Sequence, residues 1–347
     1  SPAKAGAQTG LPPSRENKAA RETTARKDYR HPRRLGTDPC MQRLDGGASI
    51  PSHLADGIVA LGNFDGFHLG HQAVVARAIA WAKAEGRPAL VATFDPHPVR
   101  HFRPDTPPFR LTTLDQRERL FAAAGADAMV VFHFDGDLAA LTAEQFVADR
   151  LERALRIGGV VTGEDFTFGH AKSGTVHTLA ARGPVHGFRA ETVGAVALDG
   201  ETVSSTRIRE ALRAGDMATA TRLLTRPFAI EGVVQHGDKL GRTIGYPTAN
   251  LDMGNYLRPA YGIYAVTGRL EDGRVLKGAA NLGIRPSFDP PKELLEPHFF
   301  DFAEDLYGRR IEVSLIDYLR PEAKFDGLDA LITQMDADCA RARAILG

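Results

Sequence analysis

Ile58-Val59-Ala60-Leu61-Gly62-Asn63-Phe64-Asp65-Gly66-Phe67-His68-Leu69-Gly70-His71 decides how this chain is read. The first four residues are a short apolar run closed by Gly62, the pattern of a buried parallel strand. From His71 to Glu85, Val74, Val75, Ala78, Ile79 and Ala82 recur at helical spacing, and Gly86 follows as a stop. The stretch between them is then a glycine-rich turn from strand to helix. Glycines let a backbone approach a phosphate closely, and a helix start supplies free N–H groups and positive dipole. His68 and His71 can both face one oxyanion there. An arbitrary HxxH is more often a tight turn with two surface histidines, and metal binding is a further reading, although no third ligand is evident nearby. Position favours the phosphate site: strand end, glycine turn and helix start coincide with the pair.

Outward from this stretch the alternation continues. Ala89 to Phe94 reads as a strand, and Thr113 with Gln116 as a capping box opening a helix through Phe121 to Gly125. Met129 to Phe132 is the next strand, Thr142 with Gln145 opens a second capped helix through Leu155, and Val160-Val161 is a further strand. Strands alternating with helices imply right-handed crossovers and an α/β fold: a Rossmann-like doubly wound parallel sheet. Ligands in such sheets bind beyond the carboxyl ends of the strands, where the glycine turn lies. After Arg226-Pro227 the pattern becomes strand-rich. Phe228–Val234, Gly262–Val266, Val275–Gly278 and Ile311–Ile316 are short strands separated by Gly and Asp turns, which predicts a small antiparallel β-barrel. A C-terminal helix over Leu328–Leu346 closes the chain, with Leu328, Leu331, Ile332 and Met335 on its apolar side.

The composition limits the function classes. Of 347 residues, 43% are hydrophobic and 25% charged, with Lys+Arg and Asp+Glu both 43, so the formal net charge is zero. That balance argues against nucleic-acid or membrane-surface binding as the main activity and leaves room for a local basic pocket. Cys40 and Cys339 are too few for a disulfide framework or a cysteine-based zinc site, which favours a reducing compartment, the cytoplasm. No apolar run approaches the roughly 18–20 residues of a membrane span. Residues 1–50 are rich in Arg, Lys, Gly, Pro and Thr with little apolar periodicity, and are expected to be a disordered extension. Without an apolar central segment they do not read as a secretory signal, and Glu16, Glu22, Asp28 and Asp38 count against a transit peptide. Because Met41 stands just before the folded part, an upstream or appended segment is the preferred reading.

His68-Leu69-Gly70-His71 resembles the HxGH signature of the nucleotidyltransferase superfamily, and the longer string from Gly62 resembles the bacterial bifunctional riboflavin kinase/FAD synthetase family. Thr93-Phe94-Asp95-Pro96-His97-Pro98, Gly163-Glu164-Asp165-Phe166-Thr167-Phe168-Gly169 and Ser204-Ser205-Thr206-Arg207-Ile208-Arg209 agree in order. Ser-Ser-Thr alone is usually only a helix cap. After an HxGH block it resembles the superfamily's second nucleotide-binding motif. The resemblance implies that Gly62, Asn63, Phe64, Asp65, Gly66, Ser205 and Thr206 bind nucleotide, that His68 and His71 hold phosphates and stabilise the transition state, and that Arg209 neutralises the leaving group. Asp165 stands where some members carry Asn, and either would serve a metal. His97 fits a phosphate contact and fits equally a histidine held in a Pro-rigid turn.

Gly237-Asp238-Lys239-Leu240-Gly241-Arg242-Thr243-Ile244-Gly245-Tyr246-Pro247-Thr248-Ala249-Asn250 is not a Walker A loop, since no Gly-Lys-Ser/Thr follows at the required spacing. A hairpin tip would explain its glycines, but the whole string resembles the riboflavin kinase signature. The resemblance implies Gly237, Lys239, Gly241, Arg242 and Gly245 in a loop over the nucleotide, with Thr248 and Asn250 on Mg²⁺ and phosphate. Asn281-Leu282-Gly283-Ile284-Arg285-Pro286-Ser287 resembles the family's second flap, bringing Asn281 and Arg285 to the site, with Ser287 in place of the usual Thr. Glu296-Pro297-His298-Phe299-Phe300-Asp301-Phe302 resembles the block holding the kinase's general base, Glu296. Pro297 is a departure that predicts an edge-strand position, because proline lacks the ladder donor.

The expected organisation is a disordered extension (1–50), an FMN adenylyltransferase domain (51–225) and a riboflavin kinase domain (226–347). Riboflavin, FMN and ATP would be the substrates and Mg²⁺ the cofactor, with neither nucleic acid nor membrane as partner. A flavin-binding scaffold and an adenylyltransferase for another acceptor are the alternatives. The motif residues in both halves argue against the first and the attached kinase string against the second.

Overall fold

The structure is a computed structural model that describes residues 41–236, 245–285 and 292–347, with Arg285 described by its backbone alone. Six strands form the first sheet: β1 (Gln42–Asp45), β2 (Ile58–Leu61), β3 (Ala89–Asp95), β4 (Ala128–His133), β5 (Gly159–Gly163) and β6 (Arg189–Val193). They lie in the order β1-β4-β3-β2-β5-β6, and every pairing is parallel. The strand order reverses between β2 and β5, so a crevice opens beyond Leu61 and Gly163. Alternate residues of each strand feed different cores. Ile58, Ala60 and Val91 pack with Val75, Trp81 and Phe121 on one face. Val59, Leu61 and Leu90 pack with Val147, Leu151 and Phe188 on the other. Burial on both faces is why these strands read as unbroken apolar runs.

Helix α1 (Leu69–Glu85) ends at Gly86 in the left-handed conformation, and α2 (Leu114–Ala124) begins with the Thr113/Gln116 capping box. The second box, Thr142 with Gln145, also forms, and the helix it opens continues over Phe146–Ala154 in π geometry. The expected extension is too long. Residues 41–50 are not part of an extension, because β1 pairs with β4 from Gln42↔Ala128 to Asp45↔Val131, and Met41 and Ile50 are buried. An edge strand of four residues with little apolar content carries no periodic signal. The earlier part of the extension, residues 1–40 with Cys40, lies outside the described residues.

Helices α3 (Ser205–Arg213) and α4 (Met217–Leu224) lead into the second sheet. Its strands are β7 (Phe228–Val233), β8 (Leu251–Asp252), β9 (Gly262–Leu270), β10 (Val275–Arg285), β11 (Lys292–Phe299) and β12 (Arg310–Arg320). They run β7-β12-β9-β10-β11-β8, all antiparallel. Gln235 donates its N–H to the Asn250 carbonyl at 2.8 Å, which brings the two ends of the sheet together into a barrel. Leu251, Leu282, Leu295 and Val313 fill it, in one apolar cluster with Ile208, Leu212, Leu223 and Leu224 of α3 and α4.

Helix α5 (Leu328–Leu346) covers part of the barrel's outer face. Its contact is made by Cys339, Ala342 and Leu346 against Ala265, Ala279, Phe300 and Leu319. The apolar side expected at Leu328, Leu331, Ile332 and Met335 is not the main contact, and Leu328 is 55% exposed. Small Ala342 permits close approach, and the Arg320–Asp338 ion pair at 2.6 Å anchors the middle of the helix. Pro297 does not sit on an edge strand either. In β11 it opposes Ala280 of β10, and its carbonyl accepts the Ala249 N–H at 2.9 Å on the other side. The absent donor therefore points to the β8 side, beyond the end of that two-residue strand, and no bond to β10 is lost.

Candidate active sites

The turn after β2 is wound tightly around its own side chains. Phe64, Gly66 and Phe67 all have positive φ, at 49°, 92° and 44°. Gly66 has no room for a side chain, since a Cβ there would lie 2.8 Å from the Leu111 side chain. The turn delivers His68 as the N-cap of α1. Its Nδ1 accepts the His71 N–H at 3.4 Å, which leaves the proton of the neutral ring on Nε2. The His68 and His71 rings stack at 3.6 Å, and Phe64 stands edge-on to His71. Burial lowers the His68 pKa to about 4, with Arg209 and Arg226 adding to the fall and Asp65 opposing it. Burial, then the neighbouring His68, holds His71 well below the usual histidine range. Both imidazoles are therefore neutral at pH 7 and act as hydrogen-bonding groups rather than fixed cations.

Asp65 organises the surroundings. Its carboxylate accepts the N–H groups of Leu111 and Thr112 at 2.9 Å and pairs with Arg209 at 2.8 Å. Its oxygens are thus taken up by protein donors. Arg209 also donates through Nε to the Phe109 carbonyl at 2.9 Å and lies over the Phe109 ring. Ser204, not Ser205, caps α3, while the Ser205 hydroxyl donates to the Asp65 carbonyl at 2.9 Å. Thr206 is exposed in the first turn of that helix. His97 caps the short helix Pro98–Phe102, and burial lowers its pKa to about 4. Asp165 lies exposed just past the end of β5, on the crevice side of the sheet.

Sequence reasoning missed Arg117. From α2 it donates to the Asn63 carbonyl at 3.1 Å and to Thr93 Oγ1 at 2.8 Å, tying helix, turn and β3 together. Nothing local marks it, because its partners come from two other segments. Several buried polar atoms here have no described hydrogen-bond partner: Asn63 Oδ1, His71 Nδ1, Arg117 Nε and Thr162 Oγ1. Arg117 also lines a cavity of about 200 Å³, together with Asp65, His97, Phe109 and Arg110 among others.

In the barrel, strand register assembles the second site. Asn281 of β10 is directly opposite Glu296 of β11. Leu251 of β8 is opposite Leu295, and the Ala249 N–H reaches the Pro297 carbonyl, so Asn250 falls opposite Glu296 from the other side. Asn250, Glu296 and Asn281 thus form one row across adjacent strands, on the face opposite the inward Leu251, Leu295 and Leu282. Asn250 is buried, and Asn281 Oδ1 is buried with no described partner. Thr248 lies two residues before Asn250 and Gly245 has a φ of 89°. Tyr246 donates its hydroxyl proton to Asp336, fastening this segment to α5. Gly237, Lys239, Gly241, Arg242 and the Arg285 side chain lie outside the described residues.

A parallel α/β sheet with a histidine pair at its switch point, joined to a barrel with a carboxylate-amide row, defines a nucleotide-dependent transferase with two sites. Residues 50–207 match the FAD synthetase family model, and residues 224–346 the riboflavin kinase model. Bifunctional riboflavin kinase/FMN adenylyltransferases are similar along most of their length. The Escherichia coli (strain K12) protein is 39% identical, covering 84% of this chain and 93% of that one. The Pseudomonas fluorescens protein is 41% identical, covering 83% and 92%, and the Bacillus subtilis (strain 168) protein 36%, covering 83% and 93%. A solved structure described as a macrolide-efflux protein from Streptococcus pneumoniae has a TM-score of 0.78 at 31% identity, covering 87% of this chain and 99% of that one. Among the described residues no helix is long and apolar enough to cross a membrane. The chain belongs to the bifunctional riboflavin kinase/FMN adenylyltransferase family. It uses ATP to convert riboflavin to FMN and FMN to FAD.

Proposed function

We propose that FMN adenylylation takes place in the crevice beyond β2 and β5, and riboflavin phosphorylation at the Asn250–Glu296–Asn281 row. The observation that carries the first assignment is the group of buried, unpartnered atoms on Asn63, His71, Arg117 and Thr162 at these strand ends. Buried polar groups are nearly always satisfied, so several orphans at one edge mark where a polar ligand completes them. An oxygen of the FMN phosphate attacks the α-phosphorus of ATP, the bond to the bridging oxygen breaks, and pyrophosphate departs. The nucleophile is already anionic, so the protein supplies positioning and charge stabilisation rather than a base. Neutral His68 donates from Nε2 to phosphate oxygens, His71 adds its ring beside it, and Arg209 balances the departing charge. In the turn, Gly62 and Gly66 donate their own N–H groups to Ala92 and Thr112 and shape the backbone that presents Asn63, Phe64 and Asp65, while at the helix start Ser205 is bonded to the Asp65 carbonyl and Thr206 offers its hydroxyl. Arg100, Arg110 and Arg117 bring positive charge to the neighbouring cavity, as an FMN phosphate requires, and His97, neutral at pH 7, adds a hydrogen-bonding ring.

At the barrel the nucleophile is the neutral ribityl hydroxyl of riboflavin. Glu296 accepts its proton as the oxygen attacks the γ-phosphorus, and ADP leaves. Gly237, Lys239, Gly241, Arg242, Gly245, Asn281 and Arg285 are assigned to the loops around ATP and flavin. Thr248 and Asn250 would hold Mg²⁺ at the kinase site, and Asp165 stands at the adenylylation edge to serve it there. No cluster of three or more His, Cys, Asp or Glu able to hold a metal occurs among the described residues. A hydroxyl and an amide oxygen fit a hard ion that keeps most of its ligands as water and phosphate. Bound there, Mg²⁺ would offset charge on the phosphate oxygens. We assign the two activities to residues 51–225 and 226–347 and the protein to the cytoplasm, in keeping with its sparse cysteines.

The test is a pair of variants assayed with riboflavin and Mg-ATP, followed by FMN and Mg-ATP. His68→Ala with His71→Ala should remove FAD formation and leave FMN formation. Glu296→Gln should do the reverse. Loss of both activities together in folded protein would refute the assignment of separate sites.

A further inference from the structure

The cavity beside the adenylylation residues has one wall from the other half of the chain. Asn255, in the segment between β8 and β9, lines it together with His97, Phe109, Arg110 and Arg117. This segment is bonded directly to the site. The Arg110 N–H donates to the Asn255 carbonyl at 3.1 Å, and the Leu257 N–H donates to the Arg110 carbonyl at 2.8 Å. Arg110 and Tyr256 are thereby bridged like residues of two parallel strands. From the opposite side, Asp65 takes the N–H groups of Leu111 and Thr112, and Arg209 takes the Phe109 carbonyl. The backbone of Phe109 to Thr112 is thus held jointly by the adenylylation loop and the barrel.

The cationic walls of the cavity are already engaged with protein: Arg110 and Arg117 both pair with Asp95. The Asn255 side-chain amide is different, since it has no hydrogen-bond partner among the described residues. An amide offers both donor and acceptor. That combination suits the hydroxyls of a ribityl chain and the carbonyl and N–H edge of a flavin ring.

We propose that Asn255, a residue of the kinase half, is a binding residue for FMN in the adenylylation site. The proposal rests on the reading that this cavity receives FMN. It makes the adenylylation site incomplete without the barrel, although the chemistry is carried by the first half.

The experiment uses the full chain with Asn255→Ala and Asn255→Asp. Asn255 is exposed and its backbone bonds survive substitution, so both variants should fold. Asn255→Ala should raise the KM for FMN in FAD formation by roughly 3–10-fold, the loss of one hydrogen bond. Asn255→Asp, which sets a negative charge against an anionic ligand, should raise it further. The dissociation constant of FMN without ATP, read from flavin fluorescence, should move in parallel, while KM for ATP and for riboflavin stays unchanged. Unchanged FMN binding and KM in both variants would overturn the proposal, as would a rise confined to the KM for ATP. His68→Ala with His71→Ala runs beside them. If that variant still makes FAD, the underlying reading of the site is wrong, whatever Asn255 does.

Discussion

Asp65 and Arg209, 144 positions apart in the chain, meet at 2.8 Å, and through them the glycine turn after β2 is joined to helix α3. Both side chains are largely withdrawn from water, at 6% and 16% exposure. The carboxylate also holds two backbone N–H groups of the Leu111–Thr112 segment, so one residue sets the position of three elements around the cavity.

Asp65→Asn should therefore do more than remove a charge. The amide keeps the shape but cannot accept at both ends, and it leaves Arg209 unpaired. Breaking a buried pair from one side costs about 3 kcal/mol or more. Chemical denaturation should show a loss of that order, and FAD formation should fall at least about tenfold, as expected for a displaced charge-stabilising group. Riboflavin phosphorylation per folded molecule should hold.

Glu296→Gln tests the proposed base. Its amide keeps the row with Asn250 and Asn281 but has no basicity, so the turnover for FMN formation should drop by roughly 10²–10⁴-fold. Adenylylation of supplied FMN should be unaffected, and titration with a nonhydrolysable ATP analogue should show normal binding. Near-normal kinase turnover would place the base elsewhere.

The depressed pKa of His68 makes stability depend on pH with a definite sign. Unfolded, the imidazole takes its proton near pH 6.5, and folded only near 4. Its contribution is therefore complete above pH 6.5 and is lost as pH falls towards 4. A difference of that size corresponds to about 3 kcal/mol. Wild-type protein should lose stability across this window, and His68→Asn should flatten the slope there. An unchanged slope would mean that His68 protonates readily in the folded chain.

Where the barrel is cut from the chain should matter. Ile208, Leu212, Leu223 and Leu224 of α3 and α4 share an apolar cluster with Ile230, Leu251 and Leu315 of the barrel. A fragment starting at Arg226 strips those helices off and bares that surface. It should melt at least ~5 °C below a fragment starting at Val203, as expected for a loss of about 1 kcal/mol or more in a small domain. Both should phosphorylate riboflavin where folded, and calorimetry on the two would decide the point.

Much of this protein was legible in order along the chain. The apolar run at Ile58–Leu61, the two capping boxes and the stop at Gly86 are local devices, and each formed where its residues stand. The strings around His68, Ser204 and Glu296 were equally readable as those of the family to which the chain belongs, because a family's signature is concentrated in short strings. What the sequence could not determine is what those strings are held by. The strand β1 has four residues and little apolar content, so its place in the sheet follows from pairing with β4 alone. The contact face of α5 passed from Leu328 to Ala342, since the barrel surface selects the side of the helix it can approach. Arg117, the Asp65 clamp and the Asn255 wall have no local signature: the partners of the first two are distant in sequence and meet only when the first domain folds, and Asn255 joins them only when the second half packs against it. Periodicity and capping act over one or two helical turns, whereas hydrogen bonds and burial act on whatever the fold brings within a few ångströms.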